Sequence, residues 1–176
     1  FAGISITKSQ SDPKTDGNGF LKNKFYGTKD LSEMQQALLG EKMEKESARY
    51  LGVKYGILAN SGSSAGLLAL LSLELPRGSE VIIPATTFPT IFNIIVQCGL
   101  IPVVVDTKVS IYTLTPEDVE AAITKKTKAV IAVHAVGNPC DMEGIMKIAK
   151  KYKLHVLEDN CDGFGGTIGK KKVGSF

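Results

Sequence analysis

AVIAVHAVGNPCDMEGIMKIAKKYKLHVLED, residues 129–159, decides the fold class. An apolar run, Ala129 to Val136, predicts a strand, Asp141 to Tyr152 a helix, and Leu154 to Glu158 a second strand. Strands that are continuous runs of Val, Ile and Leu are buried on both faces, and a helix between two of them implies a right-handed parallel crossover. The same alternation precedes this stretch. Val81 to Ala85 (VIIPA) reads as a strand, Pro89 to Cys98 as a helix and Ile101 to Asp106 (IPVVVD) as a strand. Thr115-Pro116-Glu117-Asp118 then supplies an N-cap, a proline at the first helical position and an acid at the third, which starts a helix over Glu117 to Ile123. The fold class is therefore α/β with a mainly parallel central sheet.

Further upstream, Tyr55 to Asn60 (YGILAN) reads as a short strand that leads through Ser61-Gly62-Ser63-Ser64 into Ala65 to Leu75, a helix apolar on all sides and so expected to be buried. Between Lys29 and Tyr50 the apolar residues recur at helical spacing and are broken by Gly40, which predicts two helices meeting there, followed by a turn at Gly52. Residues 1–28 are polar and aperiodic and read as an irregular arm. No linker marks a second domain within 29–176. Gly163 to Phe176 (GFGGTIGKKKVGSF) has hairpin chemistry and stops on an apolar residue, so the chain reads as cut off in mid-domain.

Composition bounds the function. The 176 residues are 43% apolar and 22% charged, which excludes disordered and collagen-like architectures. A net charge of +3 with lysines spread along the chain is a solvated surface and predicts no nucleic-acid partner. Cys98, Cys140 and Cys161 give neither a disulfide framework nor a zinc spacing, which fits a reducing compartment. Without a membrane-length apolar run or a signal pattern, the expectation is a cytoplasmic protein with no membrane partner.

In open parallel sheets, ligands sit beyond the carboxyl ends of the strands. Four positions there carry chemistry. Ser61 to Ser64 join a strand to a buried helix, where backbone N–H groups, hydroxyls and the helix dipole can hold a phosphate, although capping alone also explains them. Asp159 ends an apolar strand and needs a cationic partner or dense hydrogen bonding; a structural salt bridge is the alternative. Phe88 can stack on a ring-shaped ligand or serve as a core aromatic. Cys161-Asp162 can ligate metal or move protons, or be plain loop. His134 can orient a carboxylate or be a satisfied core histidine, and His155, inside a strand, is given no role.

Two motifs compete. Gly62-Ser63-Ser64-Ala65-Gly66 satisfies G-x-S-x-G between a strand and a helix, with His134 and Asp106 or Asp159 as partners for a serine hydrolase, but a hydrolase places its His last. Gly163, Gly165, Gly166 and Gly169 imitate a dinucleotide loop, yet lysines follow them and not an apolar helix. A binding module without catalysis is the third class.

Taken together, GEKMEKESARYLG (40–52), Asn60 to Ala65, Pro84 to Phe88, Gly99 to Asp106, HAVGNPCD (134–141), Glu158-Asp159 and Val173 to Phe176 resemble the fold-type I, pyridoxal-phosphate enzymes of the DegT/DnrJ/StrS family, which act on nucleotide-linked keto sugars. The resemblance implies that residues 29–176 are the N-terminal part of a cofactor-binding large domain, with the rest of it and a small domain absent, so that the fragment is not expected to be active alone. It implies that Gly62, Ser63 and Ser64 hold the phosphate of pyridoxal or pyridoxamine 5'-phosphate and that Phe88 stacks on the ring. Asp159 would pair with the pyridine nitrogen, Asp162 would join the cofactor site, and His134 would belong with Asp159 to the catalytic set, standing behind the groups that touch the cofactor. The full-length protein would be a homodimer.

Within the family, sugar aminotransferases commonly carry Gln at the positions of Asn138 and Asp162. Gly137-Asn138-Pro139, Asp159 to Asp162, Phe88-Pro89-Thr90, Asn93, Gln97 and Gly99 to Pro102 look more like the 3-dehydrases of 4-keto-6-deoxy sugar nucleotides. In iron-sulfur members of that branch a cysteine two residues after the pyridine-pairing Asp is a cluster ligand, the place of Cys161, whose alternative is an inert thiol. The residue at the Schiff-base position, Lys or His, would follow Phe176.

Overall fold

The computed structural model describes residues 4–7 and 31–176. These divide into two compact units, residues 4–7 with 59–176 and residues 31–58.

The larger unit is built on a five-stranded sheet of β1 (Ile4–Thr7), β2 (Glu80–Pro84), β3 (Ile101–Val105), β4 (Thr127–Val133) and β5 (His155–Asp159), in the order β1-β5-β4-β2-β3. β5, β4, β2 and β3 are parallel, and β1 runs antiparallel along β5 from Ile4 opposite Asp159 to Thr7 opposite Val156. Four residues of the segment read as an irregular arm are thus a strand, because alternating Ile and Ser/Thr suits the open edge of β5. The remainder of that arm, residues 8–28, lies outside the described residues.

The pleat sorts the core into two layers. On one face Val81, Ile83, Ala129, Ile131, Val133 and Leu157 pack against α2 (Gly62–Leu71) and α3 (Pro89–Gln97) of the helices numbered here in chain order after α1 (Leu31–Leu51). On the other, Ile82, Val130, Ala132 and Val156 pack against α4 (Pro116–Ala121) and α5 (Met142–Tyr152), with Leu114, Cys140 and Phe176 completing the layer. Thr115 caps α4, accepting from the Asp118 N–H at 3.3 Å, and Asp141 caps α5, accepting from the Gly144 N–H at 3.0 Å. β6 (Thr167–Ile168) and β7 (Lys171–Lys172) form the expected antiparallel hairpin.

The order of strands fixes where a ligand can enter. From β2 the chain moves outward to β3 through α3, and from β4 it moves the opposite way to β5 through α5. The carboxyl ends of the neighbours β2 and β4 are therefore a topological switch point, where open α/β sheets leave a crevice.

Three expectations are corrected. Helix α1 is continuous through Gly40, because one glycine weakens a helix by only about 1 kcal/mol and Glu41–Lys45 and Lys42–Glu46 pairs bracket the next turn. Tyr55 to Asn60 forms no strand: a strand needs a neighbour, and here the Leu58 N–H goes to Glu44 Oε1 at 2.8 Å. Helix α2 stops at Leu71, capped by Ser72, and is buried only along Gly66, Ala69 and Leu70, while Leu68 and Leu71 are exposed. An apolar composition cannot say how many faces a helix has covered.

Candidate functional site

A cavity of about 470 Å³ opens at the switch point. The N-terminus of α2 contributes Gly62 and Ser63, the loop after β2 and the first turn of α3 contribute Thr86 to Ile91, β4 and its exit contribute Val133, Ala135 and Val136, and β5 and its exit contribute Asp159, Cys161 and Asp162.

At the α2 end, Ser61 is the N-cap, its Oγ accepting from the Ser64 N–H at 3.1 Å and donating to Ser64 Oγ at 3.0 Å. The capped N–H is that of Ser64, so Gly62 and Ser63 present first-turn N–H groups that no carbonyl within the helix can take. With the helix dipole behind them, they make an anion seat on the cavity wall. Ser64 does not line the cavity; its hydroxyl belongs to the cap.

Phe88 is 70% exposed at the cavity, so it is no core aromatic. Pro89 follows at the first position of α3 and fixes the entry of that helix beside it. Next to it, the Thr87 hydroxyl is buried and has no hydrogen-bond partner. No sequence signal singled Thr87 out.

Asp159 is 5% exposed and pairs with no cation among the described residues. Its Oδ1 accepts from the Cys161 N–H at 3.1 Å. A carboxylate held this dry, with the Cys161 N–H and thiol but no cation as its partners among the described residues, favours a cationic ligand in the cavity. Its influence reaches the Cys161 thiol, which is pushed up to about 12 by the packing around it, by its hydrogen bond to Asp159 and by the charges of Asp159 and Asp162. Cys161 is thereby kept a thiol and not a thiolate, and no cluster of three or more His, Cys, Asp or Glu side chains suited to a metal occurs among the described residues.

Asp162 lines the cavity and accepts from the Val136 N–H at 3.1 Å. Val136 has φ 56° and ψ 27°, an outlying conformation for a β-branched residue, and Gly137 follows at φ 75°. The Asp162 carboxylate thus holds a strained turn in the cavity wall, a contact 26 residues apart that nothing in the sequence announced.

His134 does not line the cavity. Fully buried, it sits on the other face of the sheet, its Nδ1 accepting from the Cys140 N–H at 3.1 Å and its Nε2 3.2 Å from Glu158 Oε2. Its carboxylate partner is Glu158 and not Asp159. With both ring nitrogens engaged there, His134 cannot serve Ser64, which removes the hydrolase triad.

A dry carboxylate, an exposed aromatic, an orphaned hydroxyl and a helix-end anion seat around one cavity fit an aromatic cation carrying a phosphate, which is the shape of pyridoxal phosphate. Comparison with known proteins agrees. The model of the DegT/DnrJ/EryC1/StrS aminotransferase family matches residues 29–176. The chain is 43% identical over 143 residues to a dTDP-4-dehydro-2,6-dideoxy-D-glucose 3-dehydratase of Saccharopolyspora spinosa, covering 77% of this chain and 31% of that one. It is also 43% identical over 137 residues to a UDP-N-acetyl-3-dehydro-alpha-D-glucosamine 3-aminotransferase of Acidithiobacillus ferrooxidans, covering 78% and 37%. Among solved structures, NtdA from Bacillus subtilis with bound cofactor PMP matches with a TM-score of 0.70 and 40% identity, over 75% of this chain and 31% of that one. The chain spans about a third of the length of the curated relatives it matches.

Proposed function

From the premise that the chain belongs to the DegT/DnrJ/EryC1/StrS aminotransferase family, we propose that the whole protein is a pyridoxal-phosphate-dependent enzyme that removes the C3 hydroxyl of a nucleotide-linked 4-keto-6-deoxy sugar. The observation that carries the cofactor part is Asp159, a nearly buried carboxylate with no cationic partner among the described residues, in the same cavity as a helix-end anion seat.

Bound there, the cofactor supplies an electron sink for a substrate carbanion. Asp159 keeps a proton on the ring nitrogen, the charge state in which the ring withdraws electrons best, and the charge-assisted contact is the stronger for being dry. Gly62 and Ser63 anchor the phosphate through backbone N–H groups, Phe88 covers one face of the ring, and Thr87 offers a hydroxyl to a polar ligand atom. Asp162 acts on the cavity through Val136, holding the wall.

The choice of dehydration rests on Asn138, Asp162, the Phe88-Pro89-Thr90 segment and the Gly99 to Pro102 strand entry, which lean together toward the dehydrases. Asn138 Nδ2 donates to the Ile111 carbonyl at 2.8 Å, a use consistent with a loop-shaping role. The second reading is a sugar aminotransferase, which the Acidithiobacillus ferrooxidans relative favours. The whole protein is proposed to work as a homodimer, which light scattering checks.

The test is incubation of the full-length protein with pyridoxal phosphate, an amino donor and a 4-keto-6-deoxy sugar nucleotide, with mass analysis of the product. A sugar that has lost its C3 oxygen is expected. An amino sugar with that oxygen retained would replace the dehydrase reading by the aminotransferase one.

A further inference from the structure

Of the two acids that end β5, only Asp159 faces the cavity. Glu158 is 0% exposed on the opposite face. Its Oε1 accepts from the Phe176 N–H at 2.7 Å, and its Oε2 accepts from the Gly174 N–H at 2.8 Å. The third partner among the described residues is His134 Nε2 at 3.2 Å. Because the Cys140 N–H donates to Nδ1, the ring proton sits on Nε2, and the imidazole is a neutral donor to Glu158 rather than its counter-ion.

A buried carboxylate compensated only by hydrogen-bond donors contributes little to folding compared with an apolar side chain of the same size, so its use lies in what it fixes. Here that is the chain segment Gly174 to Phe176. Asn160, next but one along β5's exit, donates from Nδ2 to the Val173 carbonyl at 3.0 Å. Gly174 has φ +87°, and a Cβ there would lie 2.8 Å from Asn160 Nδ2, so the segment is held in a path that only glycine follows. The two residues that do the holding are interleaved with cavity walls: Val133 and Ala135 flank His134, and Asp159 follows Glu158.

We infer that Glu158, oriented by His134, is a positioning residue that locks the Gly174–Phe176 backbone in one register to the strand ends carrying Val133, Ala135 and Asp159. The Gly174–Phe176 backbone is thereby held at a set distance from the strand end that carries Asp159. The lock itself is independent of the proposed function; its catalytic consequence rests on that reading.

The test compares the full-length protein with its Glu158→Gln variant, whose amide nitrogen cannot accept from a backbone N–H. Amide exchange at Gly174 and Phe176 is expected to speed up at least about tenfold while Ile131 in β4 exchanges as before. The kcat should fall while KM and pyridoxal-phosphate binding change little. Unchanged exchange at 174 and 176, or equal acceleration at Ile131, overturns the lock. Should Glu158→Gln fail to fold, His134→Leu and His134→Gln decide: loss of the donor in His134→Leu should accelerate exchange at 174 and 176, and the amide donor of His134→Gln should restore it. Equal behaviour of the two overturns the proposal. If the wild-type protein bound no pyridoxal phosphate, the proposed function would fail and the exchange result would stand.

Discussion

Glu158 and Asp159 are adjacent acids on one strand, and the pleat sends them to opposite faces of the sheet. Among the described residues Glu158 meets three donors and no cavity; Asp159 meets the N–H and the thiol of Cys161, no cation, and a cavity. The pair teaches that equal charge and equal burial can serve opposite ends. One carboxylate is saturated from within and orders the chain, and its neighbour is left short of partners and awaits a ligand.

Removing each acid in turn should separate stability from function. Glu158→Ala strips two buried N–H groups and an imidazole of their acceptor and should lower the unfolding free energy of the full-length protein by about 3–5 kcal/mol in a urea titration. Asp159→Ala removes a group short of partners and should change it by less than about 1 kcal/mol. Equal losses would erase the distinction between the two faces.

A smaller blow to the Glu158 side is Gly174→Ala. The residue sits at φ +87°, and the new methyl meets Asn160, so a loss of about 1–3 kcal/mol is expected from the same titration. No loss would mean that the segment is freely repositioned.

The Asp159 side is sharpened by chemistry at Cys161. With its thiol pushed up to about 12, the fraction of thiolate is low at pH 8 and keeps rising as the pH climbs past 9. Alkylation should run at least about a hundredfold slower than for an ordinary exposed cysteine, and Asp159→Asn, which removes the adjacent charge, should accelerate it. A rate that levels off near pH 9 in the wild type would contradict the raised thiol, and an unchanged rate in Asp159→Asn would leave burial as its cause. Cys140, buried and also pushed to about 12, should stay unlabelled in the folded protein.

The smallest effect lies away from both acids. Gly40→Ala in α1 introduces a methyl whose near neighbour among the described residues, its own helix backbone aside, is Leu58 at 3.8 Å, and it should raise stability by up to about 1 kcal/mol without touching cofactor binding.

Much of the sheet was legible because its strands are uninterrupted β-branched runs, α4 announced itself through Thr115, and α5 was readable as the helix between two such runs. What failed needed information outside the local window. Tyr55 to Asn60 is apolar enough for a strand, but a strand exists only beside another. Gly40 looked like a break because propensity was read without the length of helix on either side. At the site, Asp159, Phe88, Gly62 and Ser63 stood out at strand ends and a helix start, the places where α/β folds collect ligands. Position alone still left Asp159 open to a structural salt bridge, and the family resemblance supplied the rest. The Glu158 contacts, 16 and 18 residues away, and the bond from Val136 to Asp162 depend on how the chain returns to the sheet, which no local pattern carries. A Glu inside a buried strand was the one available hint.

The central claim is that Asp159 faces a pyridine nitrogen in this cavity. It is tested most directly by titrating the full-length protein and its Asp159→Ala variant with pyridoxal phosphate, following the visible absorbance and then the turnover. The account predicts a coloured wild-type protein and a folded variant with at least about tenfold weaker binding and at least about a hundredfold lower turnover. A variant that binds and turns over like the wild type would contradict it.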